Sequence, residues 1–360
     1  MTETVDSDKA LRLRSEPAAP AAEPSSYLQG EVIGDRYRLE RELGRGGMGV
    51  VWVAHSLVLG IDVAVKLIRA ETAGPAVASR MAREAHAAAR LGHPALVRVF
   101  DFGWTGRGDP FLVMELVQGE TLSEMIRREC QVPVIRAVQI LLPIADGLRI
   151  AHDRSIVHRD IKPDNILLST DSLGRLQPKL LDFGIAKVGP TVGEGKLTQF
   201  GTVLGSPEYM SPEQALGLDD IDERTDVWSF CSALYEMVTG SIPFAKSNYN
   251  ALMHAIISEE PQSTVSQGVG DAAFWAILER GLTKERDKRF RNMTELGEAL
   301  ALWLYEHGIK ADSCGNSLRA VWLDVSMGTL LPAVELSIPP GSVIANSSSL
   351  SPAIAARTTR

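Results

Sequence analysis

The sequence predicts an α+β protein with two unequal lobes, a small lobe rich in β-strands followed by a larger and mainly α-helical lobe. Two patterns support this prediction. Between about residues 37 and 117, apolar residues alternate or form short runs bounded by turn residues, as in VVWVAH and VAVKLI, which is typical of strands. Beyond Gly119, apolar residues recur at helical spacing in four long segments, which is typical of helices that bury one face or more.

Length and composition agree with one large folded unit. The 360 residues are 45% hydrophobic and 23% charged, so a wholly disordered or fibrous chain is excluded. The net charge of −8 gives no overall electrostatic reason to bind nucleic acid or an anionic membrane. The apolar stretches are too short or too broken by Pro and charge for a transmembrane helix. Three widely spaced cysteines indicate reduced thiols, so we expect a cytoplasmic protein.

The elements can be predicted in chain order. Residues 1–35 contain EPAAPAAEPSS and no apolar periodicity, which predicts a flexible leader. The small-lobe strands are predicted in YRLERELG, VVWVAH, VAVKLI and FLVMELV, with a helix in ASRMAREAHAAARL. The large-lobe helices are predicted in VIRAVQILLPIADGLRIAH, ERTDVWSFCSALYEMVTG, AAFWAILERGL and MTELGEALALWLYEH. After His307 the chain becomes rich in Ser, Pro and Ala, with isolated apolar pieces, such as AVWLDV, that could form one docked strand.

A glycine cluster, GRGGMGVV, lies between the first two predicted strands. Gly44, Gly46 and Gly49 are spaced so that the backbone can approach phosphates without Cβ clashes. An ordinary glycine hairpin is the alternative interpretation. A dinucleotide fold would need a helix after the glycines, where strand-forming residues stand, and a P-loop would need Lys at the position of Val50.

Lys66 interrupts the apolar strand VAVKLI. A buried and unpaired ammonium is costly, so a buried Lys66 requires an anion nearby. Glu84 on the following predicted helix is the candidate partner, and nucleotide phosphates are a second one. A strand-edge lysine that reaches water is the alternative interpretation.

Two further polar clusters follow apolar runs. In IVHRDIKPDNILL, Asp160 can accept a hydrogen bond from an incoming hydroxyl, Lys162 can neutralise a transferring phosphate, and Asn165 can offer an oxygen to a divalent cation. In KLLDFGIAK, Asp182 ends a predicted strand, where its carboxylate could hold Mg²⁺. A polar turn and a turn-forming Asp are the alternatives.

GRGGMGVV, VAVK, HRDIKPDN and DFG, in this order, resemble the motifs of protein kinases of the Ser/Thr class. The resemblance covers about residues 37–306, and GRGGMGVVW and MSPEQA are especially similar to the eukaryotic-like (Hanks-type) kinases of bacteria. It implies the bilobal protein kinase fold, with a small lobe at 36–114, a hinge at 115–118 and a large lobe at 119–307. Residues 308–360 would form a C-terminal tail, in which a docked strand such as AVWLDV is the one expected element.

The resemblance also implies roles for individual residues. Asp160 would be the catalytic base, with Lys162 and Asn165 completing the catalytic set, and Asn165 and Asp182 would hold the metal. The ATP-binding residues would be Leu43, Gly44, Gly46, Gly47, Gly49, Val51, Ala64, Lys66, Glu84, the gatekeeper Met114, and Glu115 and Val117 of the hinge. Structural support would come from Arg159, Ser206, Glu213, Asp226 and Arg289, with Glu213 paired to Arg289.

The implied activity is the transfer of the γ-phosphate of ATP to Ser or Thr hydroxyls of protein substrates in signalling, with ATP and Mg²⁺ (or Mn²⁺) as cofactors. Lys162 and Ser206 resemble the Ser/Thr pattern rather than the tyrosine pattern. A pseudokinase scaffold is one alternative, but it would normally lack Lys66, Asp160 or Asp182. A small-molecule phosphotransferase is another, but it would lack the segment GTVLGSPEYMSPEQA.

A regulatory site is implied between Asp182 and Glu213. Thr198 and Thr202 stand at positions that resemble phosphorylated sites in related bacterial kinases. A phosphate there would give Arg159 an anionic partner and order the segment. The resemblance therefore implies autophosphorylation at one of these threonines, and solvated loop threonines are the alternative. Phosphorylation of one copy by another would need a transient homodimer, and neither a nucleic acid partner nor membrane insertion is expected.

Overall fold

The computed structural model describes residues 27–46, 49–68, 85, 88–182 and 206–324. Within them the chain forms the two predicted lobes, so the α+β class is confirmed. The small lobe contains a six-stranded antiparallel sheet with strand order β1-β2-β3-β4-β6-β5. Its strands are β1 (Val32–Ile33), β2 (Tyr37–Gly46), β3 (Gly49–Ser56), β4 (Asp62–Ile68), β5 (Val99–Trp104) and β6 (Pro110–Glu115). Most of the predicted helix ASRMAREAHAAARL lies outside the described residues.

Strand β4 shows how the sheet orients the cleft. Side chains alternate between the two faces of a strand. On one face of β4, Val63, Val65 and Leu67 pack into an apolar cluster within the small lobe. Ala64 and Ile68, on the other face, pack into the core that continues into the large lobe. Lys66 shares this second face, so the alternation of β4 turns its side chain towards the cleft.

The large lobe begins with a three-stranded antiparallel sheet and continues with helices. The strands, in the order β7-β8-β9, are β7 (Glu120–Thr121), β8 (Ile166–Thr170) and β9 (Leu176–Leu180). The helices are α1 (Leu122–Glu129), α2 (Val134–His152), α3 (Pro212–Ala215), α4 (Arg224–Thr239), α5 (Tyr249–Ser258), α6 (Ala272–Gly281) and α7 (Met293–Glu306). Helix α4 is buried on nearly all sides, which makes it the central support of this lobe.

The two lobes are joined behind the cleft by the loop that precedes β5. Leu180, the last residue of β9, donates its N–H to the Ala95 carbonyl at 2.8 Å, and its own carbonyl accepts from Val97 at 3.0 Å. In the same loop, His93 Nε2 lies 3.1 Å from an Asp146 oxygen on α2. The strand that leads to Asp182 is thus fixed to the small lobe.

The N-terminal boundary differs from the prediction of a leader over residues 1–35. Tyr27 is buried, and its hydroxyl contacts Thr105 at 2.9 Å and Asp109 at 2.6 Å. The Arg107 guanidinium lies 4.5 Å from the Tyr27 ring centre. These contacts fix residues 27–31 against the turn between β5 and β6, and β1 then joins the sheet. The folded part therefore begins before residue 36.

The C-terminal segment 309–324 packs against the large lobe. The prediction of a docked strand in AVWLDV is wrong, because Arg319–Leu323 forms a π-helical turn. Trp322 is buried against Gly297 of α7, where a Cβ would overlap the indole ring. Gln139 of α2 donates to the Ala311 carbonyl at 2.8 Å. The described fold thus continues beyond residue 307.

Two further properties of the described residues concern membrane-spanning helices and cysteines. None of their helices combines the length and the apolar character required to cross a membrane. All three cysteines, Cys130, Cys231 and Cys314, are free thiols.

Candidate active site

The roof of the cleft is the glycine turn between β2 and β3. A Cβ added at Gly44 or Gly46 would meet no atom of the described residues within 4 Å, so packing against those residues does not require glycine at either position. Gly49 is different, because its φ is 155° and a Cβ there would overlap the Leu67 carbonyl. The open space at Gly44 and Gly46 suits close approach of a ligand to the backbone. Gly47 lies outside the described residues.

The back wall of the cleft follows from strand register. Ala64 is paired with Met114 between β4 and β6, and Lys66 is paired with Leu112. On the other side of β4, Lys66 is paired with Val51 of β3. The structure therefore brings Val51, Ala64, Lys66 and Met114 to neighbouring positions of one sheet, while Leu43 lies half-exposed on β2.

The hinge residue Glu115 is tethered to the large lobe. Both of its carboxylate oxygens contact Lys179 Nζ of β9, at 2.8 and 2.9 Å. Its backbone N–H donates to the Arg98 carbonyl at 2.9 Å. Val117 follows in a half-buried, irregular stretch. The sequence did not point to Lys179, because nothing local marks a partner 64 residues away.

Lys66 and Asp182 meet across the cleft. Lys66 Nζ lies 2.7 Å from Asp182 Oδ2, and Asp182 has a φ of 47°, which is uncommon for a residue with a side chain. Glu84, the partner expected from the sequence, lies outside the described residues. The described contact therefore joins two of the predicted site residues that had not been predicted to touch.

The loop between α2 and β8 brings Asp160, Lys162 and Asn165 together. Asn165 Nδ2 donates to the Asp160 carbonyl at 2.8 Å and to Asp160 Oδ2 at 3.1 Å. Lys162 Nζ lies 4.0 Å from the same carboxylate oxygen and 3.3 Å from Ser206 Oγ. The loop can thus offer a carboxylate to a hydroxyl, with a cation beside it.

Asp226, near the start of α4, supports the backbone of this loop from below. Its two oxygens accept the His158 N–H at 2.7 Å and the Arg159 N–H at 2.8 Å. His152 Nε2 lies 2.8 Å from the Asp226 carboxylate. Burial alone would raise the pKa of Asp226, but the hydrogen bonds from His152 and from the His158 N–H lower the pKa below its usual value. Asp226 is therefore a buried acceptor kept as a carboxylate.

His158 connects this loop to the segment that carries Asp182. Its Nδ1 accepts the Asp160 N–H at 3.3 Å, so in the neutral ring the proton is on Nε2. That nitrogen donates to the Leu181 carbonyl at 2.9 Å. Leu181 also donates its own N–H to the Asn165 carbonyl at 2.7 Å. These bonds hold the residue before Asp182 against the loop that carries Asp160.

Residues 206–215, which we call the substrate platform, lie next to this loop. Glu213 and Arg289 form a two-bond ion pair at 2.8 and 2.9 Å, and both side chains are buried. Burial alone would raise the pKa of Glu213, but the Arg289 guanidinium lowers it below its usual value. The Tyr209 hydroxyl donates to Glu236. The platform is thus fixed to the interior of the large lobe.

Arg159 has a buried Nε atom with no hydrogen-bond partner among the residues that the structure describes. Thr198 and Thr202, expected near it, both lie outside the described residues. Sequence reasoning also missed Gln214, whose Nε2 donates to the Arg159 carbonyl at 3.1 Å. Its position directly after Ser-Pro-Glu is the one signal that could have drawn attention to it.

Comparisons with known proteins agree with this geometry. Residues 37–298 match the model of the protein kinase domain. The chain is 38% identical to the serine/threonine-protein kinase pkn2 of Myxococcus xanthus and 37% identical to PknB of Mycobacterium tuberculosis. The alignments cover 75% and 73% of this chain but only 32% and 42% of those relatives.

A solved structure shows the same fold. The crystal structure of the PknI kinase domain of M. tuberculosis superposes with a TM-score of 0.63 at 24% identity, over 79% of this chain and 100% of that one. The match to the domain model, the relatives and the fold lead to one conclusion: the chain belongs to the protein kinase family, among relatives that are bacterial serine/threonine-protein kinases.

Proposed function

We propose that this chain transfers the γ-phosphate of ATP to Ser or Thr hydroxyls of proteins. The observation that carries the proposal is the convergence of Asp160, Lys162 and Asn165 with the Lys66–Asp182 contact at one cleft. Asn165 contacts Asp160 at 3.1 Å, and Lys162 lies 4.0 Å from it. These are the residue types that hold, neutralise and deprotonate the groups in phosphoryl transfer.

Protein kinases use ATP together with a divalent metal ion, generally Mg²⁺, and the donors present suit such an ion. Asn165 uses its amide nitrogen on Asp160, which leaves the oxygen Oδ1 for a cation. Asp182 uses Oδ2 on Lys66, and its carboxylate has a second oxygen. Oxygen donors of this kind suit Mg²⁺ or Mn²⁺, with ATP oxygens and water as the other ligands. The bound metal would neutralise the charge of the phosphates.

The other roles in the transfer are assigned to residues of the chain itself. Asp160 would accept the proton of the attacking hydroxyl, and Lys162 would offset the negative charge on the transferring group. Lys66 would orient the other phosphates. At the hinge, the Glu115 N–H is already bonded to Arg98, so we assign the adenine contact from an N–H to Val117 instead.

Protein hydroxyls are the proposed acceptors because of the substrate platform. Lys162 reaches Ser206 at 3.3 Å, which joins the platform to the catalytic loop. The relatives named above are serine/threonine-protein kinases. A pseudokinase or a small-molecule phosphotransferase would be the outcome if ATP is bound without transfer, or if transfer occurs only to small molecules.

The test measures phosphate transfer from labelled ATP to the chain itself and to a general protein substrate. We expect transfer that excess EDTA abolishes. Asp160→Ala should lower the turnover number by about 10²-fold to 10⁴-fold and leave ATP affinity nearly unchanged, since proton acceptance acts in the transition state. Asp153→Ala, at an exposed carboxylate beyond α2, is the matched control. An unaltered rate in Asp160→Ala would remove that residue from its proposed role.

Autophosphorylation at Thr198 or Thr202 is part of the proposal. The buried Arg159 Nε supports it, because this atom has no partner among the described residues and a phosphate would supply one. Mass spectrometry of the purified chain, before and after phosphatase treatment, should find phosphate at one of the two threonines. Full activity of the double Thr→Ala variant, with no phosphate in this segment, would contradict the switch and leave the kinase activity standing. Transfer between copies would need a transient homodimer. ATP as the phosphate donor and free thiols suit a cytoplasmic location.

A further inference from the structure

The peptide unit that joins Arg159 to Asp160 is held at both ends by side chains. Its carbonyl accepts a hydrogen bond from Gln214 Nε2 at 3.1 Å. Its N–H donates to His158 Nδ1 at 3.3 Å. The orientation of this peptide determines the direction in which the Asp160 side chain leaves the backbone.

Arg159 needs this fixation because its backbone is strained. Its φ is 63°, in the left-handed region where residues with a Cβ are disfavoured. Such a conformation persists only where the surroundings enforce it. Asp226 binds the Arg159 N–H at 2.8 Å, and Gln214 binds the carbonyl of the same residue. Loss of the second contact would leave the carbonyl end of the peptide without this donor, so the peptide could tilt about its N–H bond to His158 and shift Asp160.

Gln214 is itself held in one orientation. Its Oε1 accepts the Ser211 N–H at 3.0 Å, and Ser211 Oγ accepts the Gln214 N–H at 3.4 Å, which forms the capping box of α3. One end of the side-chain amide must therefore accept while the other must donate. A carboxylate can make the first of these bonds, but it would repel the Arg159 carbonyl.

We propose that Gln214 is a positioning residue for phosphoryl transfer, which transmits the geometry of the substrate platform to the peptide before Asp160. This inference rests on the proposed function. Asp226 supports the catalytic loop from α4, whereas Gln214 supports it from the platform. The neighbouring Glu213 is fixed to Arg289 in the interior, so Gln214 acts from a rigid base. A displaced platform would take the donor away from the Arg159 carbonyl even with Asp226 in place.

The experiment compares Gln214→Glu with Gln131→Glu in the full chain. Gln131 is a matched control, because its Nε2 also donates to a backbone carbonyl, that of Thr239, at 3.1 Å. We expect Gln214→Glu to lower the turnover number about 10-fold to 100-fold at pH 8, since misplacement of a reacting group by about 1 Å has effects of this size. The KM for ATP should stay near the wild-type value. Gln131→Glu should keep the wild-type turnover number.

A pH profile separates positioning from general damage. The introduced carboxyl can donate to the Arg159 carbonyl once it is protonated, and a hydrogen bond that only the protonated form can make raises the pKa of such a group. The turnover number of Gln214→Glu, divided by that of the wild type at the same pH, should therefore rise as the pH falls from about 8.5 to about 6. The division removes the titration of groups common to both proteins, such as Asp160, Lys162 and Asp226. Gln214→Met, which cannot donate at any pH, should stay low throughout.

Two results would overturn the inference. One is a Gln214→Glu or Gln214→Met variant that folds, judged by its melting curve, and turns over at the wild-type rate. The other is a constant ratio of Gln214→Glu to wild type at all pH values. If Gln214→Glu does not fold, the Gln214→Met result decides alone. An inactive wild-type chain would instead contradict the proposed function.

Discussion

Two ion pairs, one in the cleft and one in the large lobe, differ in how far they are closed off from water. Lys66 and Asp182 meet through one pair of atoms at 2.7 Å, and their side chains remain 16% and 31% exposed. Arg289 and Glu213 meet through two bonds at 2.8 and 2.9 Å, and their side chains are 0% and 5% exposed. A ligand can therefore reach the first pair but not the second.

The two cations also differ in how many of their donors bond to residues that the structure describes. Arg289 additionally donates to the carbonyls of Thr283, Arg224 and Lys284, at 2.7 to 3.2 Å. The ammonium of Lys66 has three donors, and its described hydrogen bond is the one to Asp182. A cation whose donors are all used inside the fold stabilises it. A cation that remains partly exposed in a cleft can be reached by phosphates, as we propose for Lys66.

The largest expected effect follows from breaking the buried pair. Arg289→Met should lower the free energy of unfolding by about 3–5 kcal/mol, because Glu213 would remain buried without a cation. Urea denaturation followed by circular dichroism measures this change. Arg291→Met, at an 84% exposed arginine, is the control and should alter stability by less than about 0.5 kcal/mol. If Arg289→Met changed the free energy of unfolding as little as the control does, burial would not make this pair more important for stability than the cleft pair.

The second prediction concerns the cleft pair. Lys66→Met keeps the apolar stem and removes the charge, so the turnover number should fall by about 100-fold or more. The free energy of unfolding should change by less than about 1 kcal/mol, because the pair is partly exposed. Turnover and urea denaturation are measured on the same preparation, with Lys288→Met, at an exposed lysine, as the control. Wild-type activity in Lys66→Met would refute the assignment of this lysine.

Double-mutant cycles measure the coupling energy within each ion pair, and the expected difference between the two pairs is smaller than the effects above. For Glu213 and Arg289, the variants Glu213→Gln, Arg289→Met and their combination should give a coupling energy of about 2–3 kcal/mol. The corresponding cycle for Lys66 and Asp182, with Lys66→Met and Asp182→Asn, should give about 1 kcal/mol or less. Both cycles are measured by urea denaturation. Equal coupling energies would show that exposure does not distinguish the pairs.

The sequence predicted long elements better than short ones. The apolar pattern of VIRAVQILLPIADGLRIAH coincides with α2 (Val134–His152) residue for residue, because nineteen residues give five turns over which the pattern repeats. Helix α1 (Leu122–Glu129) was missed, although its capping box of Thr121 and Glu124 is a recognisable signal. Eight residues are too few for a periodic pattern to stand out.

In the site, the sequence indicated residue types but not all of their contacts. Lys66 and Asp182 are 116 residues apart, and only the folded chain determines that they meet. Gln214 gives no chemical signal of its own, since its proposed role depends on the carbonyl of Arg159, a residue whose φ of 63° only the folded chain reveals. A motif specifies which groups are needed, whereas register and loop geometry specify which groups touch.

The two ends of the described fold also make contacts that the sequence did not predict. Tyr27 lies in the predicted flexible leader and Trp322 in a tail segment for which a docked strand was predicted, yet both are buried as parts of other structures. Trp322 fits because Gly297 leaves room for its ring. A single aromatic side chain that packs against residues far away in the sequence does not change the average composition of its segment. Composition therefore could not predict either contact.

The smallest expected effect is a pH dependence that belongs to the buried pair. The pKa of Glu213 in the folded state lies below its usual value, because the Arg289 guanidinium outweighs the effect of burial. Its contribution to stability is therefore complete above the pKa of the unfolded state, about 4.3, and is lost as the pH falls through the folded-state pKa. In that window the unfolded chain binds more protons, so the free energy of unfolding decreases with falling pH, by up to about 1.4 kcal/mol per pH unit for one group. Glu213→Gln cannot titrate there, and its free energy of unfolding should decrease less steeply than that of the wild type between about pH 5 and pH 3. Urea denaturation across this range measures both slopes, and only the slopes are compared, since the variant also leaves Arg289 without its carboxylate. Parallel slopes would show that protonation of Glu213 does not cause this pH dependence. They would also remove the electrostatic distinction between the two pairs.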